Sequence, residues 1–545
     1  MKFLKKSVML LVSGVLLGSL SGCNKKEDDT PKQKDPLVIP TVDVENLQVN
    51  LPDLPTYNQG SPRSEGDYDY IDLYEVSDFH GAVDFKESSS DAYLGLARLA
   101  TYFDTKRAEN PGGTVLLSSG DMFQGSADSN STRGFMVNYA MHYMGFDAMA
   151  VGNHEFDWTD TWLRKNANLT YNDHKIPYLG INILNKETRE LADFVAESTV
   201  IERGDYKIGI IGAIGSELES SILYSCVKDY DFVDETPLIN AEAARLRAEE
   251  HCDIVVLIEH EGLDKITLPE GVDAIFGGHA HENKTLMIGG SVPAAATRNY
   301  ARGIAHIGLK INKSTKEVSY VGEPFIYHPS NANKDNIAQS VGINAIMAEY
   351  APSINSIKNI ELGTAVDELG LSGLLKNICV KSMFDKAYEA AEGTTEIDPS
   401  SLIASFHNVS GGIRDDIKAG TVTYGDVYRA FPFDNEVVLI ECKGSLLRKK
   451  AINFTALGCY RLFETKSDIE LEKTYYIVTT DYLALDSDQG FNGDTRLKPI
   501  SDENMIRTGA IVRDVVAERI YELDKVKRSD FPSSDYHYQN IPPQF

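Results

Sequence analysis

Five short segments concentrate side chains that can bind metal or move protons: Ser77-Asp78-Phe79-His80-Gly81, Ser118-Ser119-Gly120-Asp121, Gly152-Asn153-His154-Glu155, Glu259-His260-Glu261-Gly262 and Gly277-Gly278-His279-Ala280-His281. Read singly, each is an ordinary turn or helix cap, because Asp, Asn and Gly are common turn formers. Read together, with histidine in four of the five, they look like ligands. Carboxylate, amide and imidazole donors suit borderline divalent ions such as Zn²⁺, Mn²⁺, Co²⁺ or Fe²⁺, whereas calcium prefers oxygen-only shells. The donors outnumber what one ion takes, so the economical reading is a pair of ions sharing one carboxylate.

The elements that must position these groups are legible just upstream. Each polar segment follows an apolar run: 70–76, 114–117, 148–151, 253–258 and 272–276. Strands buried on both faces read as continuous apolar runs, and ligand groups in such sheets gather beyond the strand ends. From residue 70 onward these runs alternate with longer amphipathic segments, which predicts an α/β layered domain.

The series Asp78-Phe79-His80, Gly120-Asp121, Gly152-Asn153-His154-Glu155, a lone His260 and Gly278-His279-Ala280-His281 resembles the calcineurin-like metallophosphoesterases in motif, order and spacing. The extension to Asp157 narrows the likeness to the 5′-nucleotidase family. The resemblance implies a four-layer α-β-β-α sandwich followed by a second α+β domain. It assigns Asp78, His80, Asp121 and His281 to one divalent ion and Asp121, Asn153, His260 and His279 to another, with Asp121 bridging. The resemblance gives His154 the role of stabilising the transferring phosphoryl group and assisting the leaving oxygen. Asp157, three residues on, either orients the His154 ring or caps a helix. Two dications ~3.5 to 4 Å apart activate water and neutralise charge during in-line attack, which makes a phosphate ester an apt target.

The segment 330–360 reads as a polar stretch and then a linker helix ending near Pro352. Beyond it, Ala404 to Gly444 resembles the C-terminal domain peculiar to 5′-nucleotidases. By that likeness Arg414 grips a phosphate or sugar group beside Gly411-Gly412, and Phe433 and Tyr482 wall a slot for a nucleobase. Asp488 holds the ribose, and Asn408 belongs to the same site. Stacking between such rings contributes ~1 to 3 kcal/mol per base. Asn408 and Arg414 stand one residue further apart than is usual in the family, and the loop containing Asp488 is one residue longer. Asp367 and Glu368 occupy the region where relatives carry an extra Arg, which predicts weaker phosphate gripping there.

The chain's 545 residues exceed one core's usual capacity, predicting two folded domains. Its 53 Lys and Arg against 81 Asp and Glu leave a formal charge of −28, which argues against a nucleic-acid polymer as partner. Lys2, Lys5 and Lys6, an apolar run and small residues before Cys23 form an export signal whose end resembles a lipobox. That implies a signal peptide over 1–22 and lipidation of Cys23, anchoring the protein in the bacterial cell envelope. The polar, Pro-rich segment 23–69 reads as a tether, followed by the metallophosphoesterase domain at 70–329, the linker helix at 330–360, the substrate domain at 361–530 and a tail at 531–545. Cys226, Cys252, Cys379, Cys442 and Cys459 are too scattered to suggest a disulfide framework. The expected activity is hydrolysis of nucleoside 5′-monophosphates to nucleoside and phosphate. The alternatives are a 2′,3′-cyclic phosphodiesterase, a nucleotide-sugar hydrolase, a sulfur-ester hydrolase or a noncatalytic nucleotide-binding lipoprotein.

Overall fold

The computed structural model describes residues 34–57, 60–86, 92–330, 336–393, 397–409, 411–445, 457–462, 468–485 and 505–532. Two sheets form the heart of the first domain. One runs, edge to edge, Val318–Tyr320, Ile304–Asn312, Tyr68–Glu75, Thr114–Ser118, Ala148–Ala150 and Tyr178–Leu179. The other runs Lys284–Ile288, Val292–Ala296, Ala274–Gly277, Ile254–His260, Tyr206–Ile214 and Ser198–Arg203. Parallel pairing joins the central strands of each, including Tyr68–Glu75 with Thr114–Ser118 and Ile254–His260 with Ala274–Gly277.

Side-chain alternation explains why the two sheets stack. Ile71, Leu73, Val115, Leu117, Ile208, Ile210, Ile254, Val256 and Ile258 fill one core drawn from both sheets. Their neighbours one residue along point outward: Tyr74 and Leu116 join a core with helical Leu96, Leu99, Phe103 and Met141, while Ile211, Val255 and Leu257 join another with helical Ile239, Ala243 and Leu246. A strand buried on both faces needs a cover on each. The result is the expected α-β-β-α sandwich. The five polar segments therefore come from the ends of two sheets rather than from one sheet edge.

The helix Val341–Lys358 corrects the expectation that it stops near Pro352. Pro352 lies on the exposed side, whereas Ile346, Tyr350, Ile354 and Ile357 are buried on the turns before and after it. Packing of that face on both sides outweighs the hydrogen bond a proline cannot donate. The second, α+β domain follows. Its five-stranded sheet runs Leu457–Arg461, Leu402–Asn408, Thr474–Thr480, Glu436–Lys443 and Met505–Ile511, flanked by helices Leu374–Glu392 and Val512–Leu523. Cys226, Cys252, Cys379, Cys442 and Cys459 are all buried, and no disulfide joins them among the described residues. No helix among the described residues is long and apolar enough to cross a membrane.

Candidate active site

The strand ends bring two donor clusters together. Asp78, His80 and His281 form one, and Asp121, His260 and His279 the other. Asn153 belongs with the second: its Oδ1 lies 3.0 Å from His260 Nε2 and 2.9 Å from His279 Nδ1. Backbone carbonyls set the tautomers. His80 Nδ1 donates to the Gln124 carbonyl at 2.9 Å, and His260 Nδ1 donates to that of Ser119 at 2.6 Å. In the neutral rings both Nε2 atoms are thereby left as acceptors. His80 Nε2 faces His281 Nε2 at 3.1 Å, and His260 Nε2 faces Asp121 Oδ2 at 3.2 Å as well as Asn153 Oδ1.

Acceptors aimed at acceptors inside a buried site require positive charge between them. Burial would lower the His260 ring, yet Asp121 and Asp78 outweigh it and push it up to about 10. Positive charge is favoured here, as a proton on His260 Nε2 or as metal, and imidazole, carboxylate and amide donors fit a pair of divalent metal ions. Those donors are the side chains that would hold them.

Tight backbone approach makes the clusters possible. A Cβ at Gly152 would run into Asp121 Oδ1 and come within 2.9 Å of His260 Cε1, so only glycine fits there. Asp78, His80, Asp121, His279 and His281 all have left-handed backbone, with φ between 46° and 62°. Residue spacing carries no sign of that.

Glu155 follows His154 in its motif with no role evident from the sequence, and the structure supplies one. Its carboxylate accepts from the backbone nitrogens of Asp121 at 2.8 Å, Met122 at 2.9 Å and Gly152 at 2.8 Å, clamping two ligand-bearing turns together. Burial and the nearby Asp121 push its carboxyl up to about 7. Glu75, also unforeseen, sits fully buried behind Asp78 and is pushed up to about 8, chiefly by burial. A protonated Glu75 adds no negative charge to the cluster.

His154 stands beside the metal-type donors. Its backbone N–H donates to Asp121 Oδ1 at 2.8 Å, and its ring Nδ1 lies 2.9 Å from Asp157 Oδ2. Burial alone would lower this ring's pKa; Asp157 and Asp121 outweigh it and hold it above the ordinary value. Asp157 is thus in contact with the ring, as an orienting carboxylate would be.

A cavity of about 240 Å³ opens over these groups. Asn153, His154, Asp157 and His279 line it from the sandwich, and Asn408, Arg414, Phe433 and Tyr482 line it from the second domain. The Phe433 ring centroid is 5.6 Å from that of His154, and the Arg414 guanidinium carbon is 5.1 Å from the Phe433 ring. Gln124, Trp158, Ser221, Leu223 and Asn435 also line the cavity, and their sequence surroundings gave no sign of it. Among the described residues, two that line the cavity keep a buried donor without a hydrogen-bond partner, Gln124 Nε2 and Arg414 Nε. Asp367 and Glu368 do not line the cavity; Asp367 accepts from the Arg528 backbone at 3.1 Å and Glu368 pairs with Lys418. Asp488 and Cys23 lie outside the described residues.

Comparison with known proteins agrees with this geometry. Residues 72–283 match the calcineurin-like phosphoesterase family, and residues 376–453 match the 5′-nucleotidase C-terminal domain. An apyrase of Tabanus yao is 25% identical over 412 residues, covering 69% of this chain and 72% of its own. A 5′-nucleotidase of Mus musculus is 24% identical over 425 residues, covering 70% of each chain. The crystal structure of a 5′-nucleotidase precursor from Thermus thermophilus superposes with a TM-score of 0.68 at 20% identity, over 84% of this chain and 97% of that one. Fold and donor set define a metal-dependent phosphoric ester hydrolase of the calcineurin-like class. With its second matched segment, the chain joins a calcineurin-like phosphoesterase domain to a 5′-nucleotidase C-terminal domain, the two parts by which it resembles the 5′-nucleotidases.

Proposed function

We propose that the protein hydrolyses nucleoside 5′-monophosphates to nucleoside and phosphate. The observation that carries this reading is the single cavity in which His154 and the metal-type donors face Arg414, Phe433 and Tyr482. When bound, two divalent ions would supply an activated water and offset phosphoryl charge. Asp78, His80, Asp121 and His281 are assigned to one ion and Asp121, Asn153, His260 and His279 to the other, with Asp121 shared.

The chain's own groups do the rest. Arg414 carries a buried Nε–H without a partner among the described residues, which suits it to a phosphate or ribose oxygen. Phe433 and Tyr482 offer ring faces to the base, which favours stacking over base-edge readout. Asn408 and Asp488 are assigned to the same subsite. His154 has Nδ1 committed to Asp157, so Nε2 is the atom that gives a proton to the leaving 5′-oxygen. Asp157 holds the ring in that tautomer and favours its charged form. The protein is further proposed to be exported and anchored through a lipid on Cys23.

One observation favours a second reading. An adjoining cavity of about 290 Å³ shares Leu223 and Tyr482 with the first, leaving space on the base side for a nucleotide whose base carries a further group. Consumption of AMP, a base-substituted AMP, a 2′,3′-cyclic nucleotide, a nucleotide sugar and glycerol phosphate, followed by chromatography of the products with Mn²⁺ and with chelator, tests both. AMP turnover that needs metal and is abolished by His154→Ala supports the first reading. Failure of AMP alongside turnover of another ester refutes the monophosphate assignment.

A further inference from the structure

The Phe433 loop is held from two sides. Behind it, in its own domain, buried Arg513 donates to the carbonyls of Phe431 and Phe433 at 3.3 Å each and to Asp434 Oδ1 at 2.6 Å. In front, two residues of the sandwich reach across. Asn130 Nδ2 donates to the Pro432 carbonyl at 2.9 Å in a buried position, and Arg133 Nη1 donates to Asp434 Oδ2 at 3.1 Å. Asp434 thus gives one oxygen to each domain, with a separate arginine on each.

The sandwich side of this grip is itself fixed. Asn130 Oδ1 accepts from the Gly125 backbone at 2.8 Å, next to the Gln124 carbonyl that sets the His80 tautomer. The Arg133 carbonyl accepts from Asn166 Nδ2 at 2.9 Å, and its guanidinium lies 5.7 Å from the Trp158 ring. One short segment, 124–133, therefore touches a candidate metal ligand at one end and the base-side loop at the other.

We propose that Asn130 and Arg133 are positioning residues for the substrate, and that the Arg133–Asp434 pair latches the Phe433 ring over His154. The substrate part rests on reading Phe433 as a base wall. The bland alternative is a half-exposed ion pair of the kind that contributes little. It differs in what it predicts: a mere surface pair leaves both the base-side loop and the interdomain distance unaltered when it is broken.

The test compares wild type with Arg133→Glu, which sets two carboxylates face to face, and with Arg133→Lys, which restores the charge. Phosphate release is followed with AMP and with ring-free glycerol phosphate. Spin labels at Glu187→Cys and Glu389→Cys, both exposed and on different domains, report the interdomain distance. The expected result for Arg133→Glu is an AMP KM raised about fivefold, the upper end for one lost surface pair, with the repulsion of two facing carboxylates added to the loss. Its turnover of glycerol phosphate stays within about twofold, its distance distribution broadens, and Arg133→Lys recovers most of both effects. An unchanged AMP KM together with an unchanged distribution overturns the proposal. If wild type leaves AMP intact, the proposed activity falls instead, and the label distances alone decide the latch: broadened in Arg133→Glu, it stands; unaltered, it fails.

Discussion

Replacing Glu155 by Gln removes one acceptor from the clamp between the two ligand-bearing turns. The two carboxylate oxygens divide three backbone donors unequally, Oε2 accepting from Asp121 and Gly152 and Oε1 from Met122. A glutamine keeps one oxygen, and placing it at the Oε2 position preserves two bonds. Its amide group then points at the Met122 N–H, a donor against a donor at the 2.9 Å now occupied by a hydrogen bond. Leaving a buried backbone donor unsatisfied costs about 1 to 3 kcal/mol. Because that donor is next to Asp121 in the chain, the cost falls on the turn presenting that ligand. If all of it is expressed in metal binding, affinity drops about 5- to 150-fold. Isothermal titration of the metal-free protein with Mn²⁺, run beside a thermal melt, measures both consequences. Glu155→Ala, which orphans all three donors, is expected to lower the melting midpoint further than Glu155→Gln. Wild-type metal affinity and an unshifted melt in Glu155→Gln would refute the clamp.

Two other outcomes follow from buried charges. Asp157→Asn removes the largest influence opposing burial at His154; kcat on the preferred ester is expected to fall about 10²- to 10⁴-fold while metal stoichiometry stays at the wild-type value, measured by steady-state kinetics and elemental analysis. Asp72 is part-buried, which would raise its pKa, but hydrogen bonds from His306 at 2.9 Å and Asn110 at 2.7 Å hold it below the ordinary value. A depressed carboxyl stabilises the fold above its unfolded pKa and loses that stabilisation as pH falls through the folded one. Asp72→Asn is therefore expected to cost roughly 1 kcal/mol at pH 7, with the gap in urea midpoint closing below about pH 4. A gap that persists unchanged at acid pH contradicts the assignment.

Much of the candidate site was legible because it is written at strand ends. The runs before Asp78, Asp121, Asn153, His260 and His279 send apolar side chains to both faces, as strands inside a covered sheet do. What escaped has a common cause. Glu155 acts through backbone donors on another turn, so neither its type nor its neighbours signal the job. Trp158 and Leu223 reach the cavity through tertiary packing, and the Arg133 to Asp434 contact spans about 300 residues of chain. The run through Pro352 was misread because helix propensity is a local quantity, whereas the buried face of Val341–Lys358 is decided elsewhere in the fold.

The left-handed backbone at Asp78, His80, Asp121, His279 and His281 limits how this centre can be re-engineered. Among residues with a Cβ, Asp, Asn and His are the ones that adopt this conformation most readily, and they are also metal donors. One backbone geometry thus selects the ligand alphabet twice over. Exchanging these positions for Cys or Glu to favour a softer or larger ion keeps a donor atom, yet asks the chain for a conformation those residues resist. A designer wanting a different metal here has a cheaper route through Asn153 and His260, neither of which has a positive φ.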